Sequence, residues 1–232
     1  MTRPIIHGGP FNVVCAPSRS RPQLSVEKVR EDLLQAKRLM GTSGVAGFTE
    51  ISHPGIKALF ASVFGRRIGL KRSDCPIVWT PDFVKVDGGV DFGAAAIAVV
   101  APIRRNTWIR LRRADGLRVS GLAVHPPPGA FAAHPSRAQR LVRPLIQRRW
   151  RRQAARIQRR LDWLAERSEI VVMVGDINHP GLFTWDGLMR RTGPGLLYVG
   201  VRGDGDRSPT RYVRQNADHS AAVVTVNPKE TP

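Results

Sequence analysis

The sequence predicts an α/β protein whose sheets are largely mixed or antiparallel. Many short, β-branched apolar runs are interspersed with only a few amphipathic segments. Hairpin signals, above all Asp115-Gly116 between two strand-like runs, speak against a doubly wound parallel sheet. An apolar content of 42% with 24% charged residues over 232 positions gives a globular composition with ample chain for a core, read as a single domain over 1–232.

Residues 11–16 are a short apolar run and a first strand. Ser25 is placed to cap a helix whose apolar positions Val26, Val29, Leu33, Ala36 and Met40 keep a three-to-four spacing. Residues 45–51 read as a strand with Glu50 at its end, and 56–64 as a short helix. Residues 76–79 and 93–103 read as strands, with Asp87-Gly88-Gly89 as turn residues between them. A hairpin pairs 108–112 with 117–124, and Pro126-Pro127-Pro128-Gly129 halts the second strand just after His125. A long helix spans roughly 136–167, with Leu141, Leu145, Trp150, Ala154, Ile157, Leu161 and Leu164 along one stripe. Pro144 is expected to kink or split it. Strands at 170–174, 196–201 and 221–226 follow, and the tail 227–232 is expected to fray.

The formal net charge of +19 and the pI near 11.6 are the outlying values. Such a field attracts polyanions, nucleic acid or an anionic membrane surface. Only six of the 37 basic residues are lysines, so a coding bias toward arginine is the bland alternative. Cys15 and Cys75 have no CxxC spacing, which excludes a disulfide scaffold and a cysteine zinc site and implies buried free thiols. Residues 1–10 lack the apolar centre of a signal peptide, and the longest apolar stretch, 93–103, is too short to span a bilayer. The expectation is a cytoplasmic protein with no membrane span, and a monomer.

The most informative stretch is Glu-Ile-Val-Val-Met-Val-Gly-Asp-Ile-Asn at 169–178. A buried-strand pattern ends in Gly175, and Asp176 and Asn178 follow at i and i+2, pointing the same way on an extended chain. Glu50, His125 and Asp218 with His219 also sit at the ends of strand-like runs. Their convergence would make a site for a hard metal ion and a phosphate. Taken singly, each has a plainer explanation: an edge-strand carboxylate for Glu50, a strand stop for His125, a polar loop for Asp218-His219.

Together, five segments in order resemble the endonuclease/exonuclease/phosphatase superfamily, which includes pancreatic-type deoxyribonucleases and exonuclease III-like enzymes. They are Phe-Asn-Val (11–13), Gly-Phe-Thr-Glu-Ile (47–51), Ala-Val-His-Pro-Pro-Pro (123–128), Val-Gly-Asp-Ile-Asn (174–178) and Asn-Ala-Asp-His-Ser (216–220). The resemblance implies a four-layer α-β-β-α sandwich of two mixed, mostly antiparallel sheets flanked by helices. It implies a divalent-metal-dependent phosphodiesterase using Mg²⁺, with Mn²⁺ as the alternative. Glu50 would be the main metal ligand, with Asp218 touching the metal or positioning His219, and Asn12 an outer ligand or phosphate contact. Asp176 and Asn178 would orient the attacking water, Asp176 as general base. His125 and His219 would donate hydrogen bonds or a proton to the phosphoryl oxygens.

The sequence departs from that pattern at Thr49, where glutamine is usual, at Ala217, where serine is usual, and at Leu197-Tyr198, where an Asp-Tyr pair is usual. Asp204 or Asp206 could substitute for the missing carboxylate, and Asp74 could partner His125. Charge favours DNA among the superfamily's substrates. The segment 137–160 is almost wholly basic, and Arg137, Arg140, Arg148, Arg152 and Arg156 are the candidate nucleic-acid contacts. The leading expectation is an endonuclease hydrolysing DNA. The alternatives are a phosphatase or phosphodiesterase for phospholipid or small-molecule phosphates, and a catalytically weak DNA-binding form of the fold.

Overall fold

The structure, a computed structural model, describes residues 9–17, 25–49, 54–69, 75–94, 104–125, 137–176, 197–203, 205–216 and 220–229. In chain order the elements begin β1 (Phe11–Pro17), α1 (Val26–Met40), β2 (Gly44–Thr49), α2 (Pro54–Phe64), β3 (Ile68–Gly69) and β4 (Ile77–Trp79). Next come β5 (Phe83–Ala94), β6 (Arg104–Arg113), β7 (Arg118–Val124), α3 (Arg137–Ala165) and β8 (Ile170–Asp176). The chain closes with β9 (Leu197–Gly203), β10 (Gly205–Arg207), β11 (Arg211–Val213) and β12 (Ala221–Pro228).

The first sheet runs β10-β12-β1-β2-β4-β3, with β11 also paired to β12, and the second runs β5-β6-β7-β8-β9. Each sheet holds one parallel pair, β1 with β2 and β7 with β8, among otherwise antiparallel neighbours. The sheets face each other through Phe11, Val13, Cys15 and Val45 on one side and Ile109, Val119, Ala123, Val172 and Val174 on the other. Alternate residues turn outward, as the period of two demands. On the first sheet Val14, Ala16, Ala46 and Phe48 pack under α1 and α2. On the second, Leu122, Val124, Val171 and Met173 pack under α3. The result is the expected four-layer α-β-β-α sandwich.

Local chemistry explains the helices. Ser25 accepts a hydrogen bond from the Lys28 amide at 3.4 Å, and Gly41, at φ +66°, ends α1 in the left-handed region. Val29, Leu33, Ala36 and Met40 form the buried stripe, whereas Val26, on the first turn, is exposed. Phe60 and Phe64 of α2 close on Phe48 at 4.7 and 5.7 Å between ring centroids, contacts worth about 0.5–1.5 kcal/mol each beyond burial. Cys15 and Cys75 are buried and, among the described residues, form no disulfide, as expected.

Several expectations need correction. Asp87-Gly88-Gly89 is not a turn but the middle of β5, with a register shift between Lys85 and Asp87. The glycines serve a close approach: a Cβ on Gly89 would lie 3.0 Å from the Trp108 indole nitrogen across the strand pair. Of the kink or split expected at Pro144, the split does not occur: α3 runs continuously from Arg137 to Ala165 with Pro144 inside it. Leu141 and Leu145 do not belong to its buried stripe, being 81% and 45% exposed, and Ile146 takes the buried position ahead of Trp150. The tail does not fray from residue 227, because Asn227 and Pro228 still pair with Asp206 and Gly205. Residues 95–103 of the expected strand lie outside the described residues. Among the described residues no helix is long and apolar enough to cross a membrane.

Candidate active-site rim

Strand direction assembles the site. β1 and β2 run in parallel, and their last recorded pair is Pro17 with Thr49. β12 runs back along β1, pairing Ala222 with Cys15, so its first residue lies at the same end. In the other sheet β7 and β8 end together at Val124 and Gly175, and β9 starts there with Leu197 opposite Asp176.

Two glycines bring these ends close. A methyl on Gly47 of β2 would collide with the Val174 side chain and sit 3.6 Å from Ala123, so the first sheet lies directly on β7 and β8 at that level. A methyl on Gly175 would collide with the Val124 carbonyl. The glycine before Asp176 is therefore required by the β7–β8 approach. Beyond this contact, Thr49 follows Gly47 by two residues, His125 follows Ala123 by two, and Asp176 follows Val174 by two. Alternation keeps all three on the inter-sheet side. They are 4%, 1% and 7% exposed respectively, and each is engaged with neighbours. His125 and Asp176 end adjacent strands, whose axes lie about 4.8 Å apart.

Glu50, Asn178, Asp218 and His219 lie outside the described residues, as do Asp74 and Asp204. Glu50 is next in sequence to Thr49 at this rim, and Asp218-His219 precede Ser220 and β12. Among the described residues no group of three or more His, Cys, Asp or Glu side chains could hold a metal ion. The described part of the rim offers one buried carboxylate, Asp176, whose oxygens suit a hard cation of the magnesium type.

Asn12 is not part of this site. It pairs with Gly44 and Thr225 at the opposite end of β1, five residues and about 17 Å of strand from Pro17. It also faces outward: its amide donates to the Leu39 carbonyl at 3.0 Å, and its carbonyl accepts from the Thr225 hydroxyl at 2.8 Å. It is a structural tie between β1, α1 and β12. Asp206 is likewise excluded as a partner for His219, since it pairs with Asn227 at the far end of β12 and lies 3.3 Å from Lys229. The register puts Leu197, at the position where the resemblance expects an aspartate, beside Asp176.

One anchoring residue was not foreseen. Asp32, 6% exposed on α1, accepts from the Asn216 backbone amide at 2.8 Å and its side-chain amide at 3.1 Å. Gln215 donates to the Asp32 carbonyl at 3.4 Å. The chain is thus pinned to α1 immediately before residues 217–219. An aspartate beside a buried helical stripe was the only sequence signal for it.

Arg137, Arg140, Arg148, Arg152 and Arg156 are all exposed on α3. The helix runs antiparallel to β8: Ile157, Leu161 and Leu164 cover Leu122, Val124, Val171 and Met173. Gln153 donates to Asn106 at 3.2 Å, and Asn106 precedes Thr107, the partner of Ala123. Gln153 is therefore level with the ends of β7 and β8. The sixteen residues from Gln153 back to Arg137 extend about 24 Å beyond that level if the axis stays straight.

No family profile matches the sequence, and no curated protein matches it. Solved structures do match. An endonuclease/exonuclease/phosphatase protein from Bacteroides vulgatus superposes with a TM-score of 0.66 at 13% identity, over 95% of this chain and 99% of that one. Truncated Caenorhabditis elegans TDP2 gives 0.59 at 12% identity, covering 94% and 97%. The inositol polyphosphate 5-phosphatase domain of SPSynaptojanin, in complex with inositol (1,4)-bisphosphate and calcium ion, gives 0.56 at 12% identity, covering 94% and 84%. The chain has the endonuclease/exonuclease/phosphatase fold.

Proposed function

We propose that this protein is a divalent-metal-dependent phosphodiesterase, an endonuclease that hydrolyses DNA by in-line attack of water. The observation that carries the reading is the meeting of strand ends at one rim, with His125 and Asp176 buried on adjacent strands and an arginine-rich helix packed on the same sheet. In a fold whose solved examples include phosphatases, that is the arrangement a phosphoester site requires.

Asp176, held at the end of β8, takes the proton from the attacking water, and Asn178 orients that water. His125 donates to a phosphoryl oxygen from the β7 side, and His219 does so from the β12 side, with Asp218 positioning it. Glu50 and Asp218 would hold the metal. Bound Mg²⁺ or Mn²⁺ supplies neutralisation of charge on the phosphoryl and leaving oxygens. The arginines of α3 hold the flanking phosphates. The protein would work as a monomer in the cytoplasm.

The test is supercoiled plasmid incubated with pure protein, in Mg²⁺ or in chelator, beside Asp176→Ala. Nicking that requires metal and is lost in the variant supports the nuclease. Two alternatives each have an observation behind them. The inositol phosphatase neighbour favours a phosphatase for phospholipid or small-molecule phosphates, which would release phosphate and leave DNA whole. Leucine opposite Asp176 favours a DNA-binding form with little turnover, which would bind plasmid without nicking it.

A further inference from the structure

Beside the rim, α3 and the edge strand β5 enclose a hollow of about 450 Å³ lined by Asp91, Arg156, Arg159, Arg160 and Trp163. The four helical residues fall at i, i+3, i+4 and i+7, so they share one face of α3. Arg160 is locked in place. It makes two hydrogen bonds to the Asp91 carboxylate, at 2.7 and 2.8 Å, and its guanidinium lies 4.6 Å from the Trp108 ring centroid and 4.9 Å from that of Trp163. Trp108 and Trp163 meet edge to face at 5.2 Å, and Arg167 lies 4.5 Å from the Trp163 ring centroid. This is a rigid wall.

Asp91 would repel an anion, but Arg160 neutralises it. Among the described lining residues, three guanidiniums stand with one carboxylate, a formal excess of two positive charges, and Arg156 has a further interaction of its own. Arg159 is exposed and makes no hydrogen bond or ion pair among the described residues. Arg156 is exposed one turn away. Arg148, Arg152, Arg156 and Arg159 form a single row along the helix, about 16 Å long, leading into the hollow. A row of separated cations ending in a basic hollow fits a ligand with regularly repeated anions better than a single headgroup.

We infer that this hollow is a second phosphate-binding site, distinct from the hydrolytic rim, that seats the sugar-phosphate backbone of a nucleic-acid strand. It lies two strand spacings from β7, on the order of 10 Å, and on the outer face of the sheet. The inference rests on the nucleic-acid reading of the rim and adds Arg159, with the Arg160–Trp163 wall, to the contacts that reading names.

The test is fluorescence anisotropy of labelled duplex DNA over a range of salt concentrations. Wild type is compared with Arg156→Ala/Arg159→Ala and with Arg30→Ala/Arg38→Ala. The second pair removes the same charge from exposed positions on α1, on the opposite layer. Each lost phosphate contact lowers the slope of log affinity against log salt by about 0.9. The α3 pair should therefore lose about 2 from the slope and about 50-fold in affinity at 0.1 M salt; the α1 pair should lose neither. An unchanged slope in the α3 pair, or an equal fall in the α1 pair, overturns the site. Displacement of DNA from wild type but not from the α3 pair by millimolar inorganic phosphate would also overturn it, marking a pocket for small phosphates. Failure of the nuclease reading is separable: DNA then binds with the predicted slopes while plasmid stays unnicked in Mg²⁺.

Discussion

Replacing Gly47 by alanine tests the contact on which the rim depends. The added methyl would run into the Val174 side chain, with the Val174 Cβ at 3.1 Å and the Ala123 Cβ at 3.6 Å behind it. All of these belong to strands packed on both faces, so the collision cannot be relieved by swinging a side chain into solvent. Overpacking of this kind costs about 1–3 kcal/mol. Val174→Ala alone removes two methyl groups from the inter-sheet core, costing about 1.5–3 kcal/mol with its cavity. In the double variant the methyl at 47 occupies the space vacated at 174. The combined loss should then fall short of the sum by at least about 1 kcal/mol. Urea unfolding of the four proteins measures it, read as midpoint shifts at constant slope. Additivity within about 0.5 kcal/mol would mean that β2 does not lie on β8 at this level, and the proposed convergence of Glu50 with Asp176 would lose its support.

Three further outcomes follow from the same geometry. Asp176→Ala should lower metal-dependent nicking by about 10²–10⁴-fold, the range for a positioned acid or base, in a plasmid assay with circular dichroism as the folding control. Asp32→Ala should cost about 1–3 kcal/mol and remove hydrogen-exchange protection from the Asn216 amide, which Asp32 now accepts. Glu169 gives a pH signature away from the rim. Its burial raises the carboxyl pKa, but hydrogen bonds from the Arg118 side chain and from backbone amides outweigh this and hold it below the ordinary 4.5. Stability from this pair is therefore present above pH 4.5 and lost as pH falls through the lower folded value. The difference in Tm between wild type and Glu169→Gln should close on acidification. Since Arg118 is 58% exposed, the effect should stay below about 1 kcal/mol.

Much of this fold was legible because its long strands carry an alternating or continuous apolar pattern and its helices a three-to-four spacing. The hairpin at Asp115-Gly116 was explicit, and the structure supplies the detail: Gly116 has φ +96°, and Asp115 accepts from the Leu117 amide and pairs with Arg113. Strands β3, β10 and β11 were invisible because two or three residues carry no period; β4 and β12 define them by pairing. Gly88-Gly89 misled because a glycine doublet ordinarily signals a turn, whereas here it makes room for Trp108. Asn12 misled because its segment resembled a family motif, while the strand it opens continues to Pro17. Partners far apart in sequence, such as Arg160 with Asp91 or Asp32 with Asn216, left no local trace.

The distribution of charge, rather than its total, separates a polyanion-binding surface from a bias toward arginine codons. A bias would spread basic residues over every exposed helix and leave acidic residues in place among them. α1 fits that description, mixing Glu27, Glu31 and Asp32 with Lys28, Arg30, Lys37 and Arg38. α3 does not: from Arg137 to Arg160 it carries ten arginines and no acidic residue before Asp162. Arg137, Arg140, Arg143, Arg148, Arg151, Arg152 and Arg159 make no hydrogen bond or ion pair among the described residues. Packing so many like charges on one helix face is mutually repulsive and unfavourable by the rule for residues one turn apart. An anion lying against the helix would offset that cost. The unbalanced helix packs on the sheet that carries His125 and Asp176, while the balanced helix covers the opposite layer. If the proposed function holds, such a field would raise the local concentration of a polyanionic substrate where Asp176 and His125 would act on it.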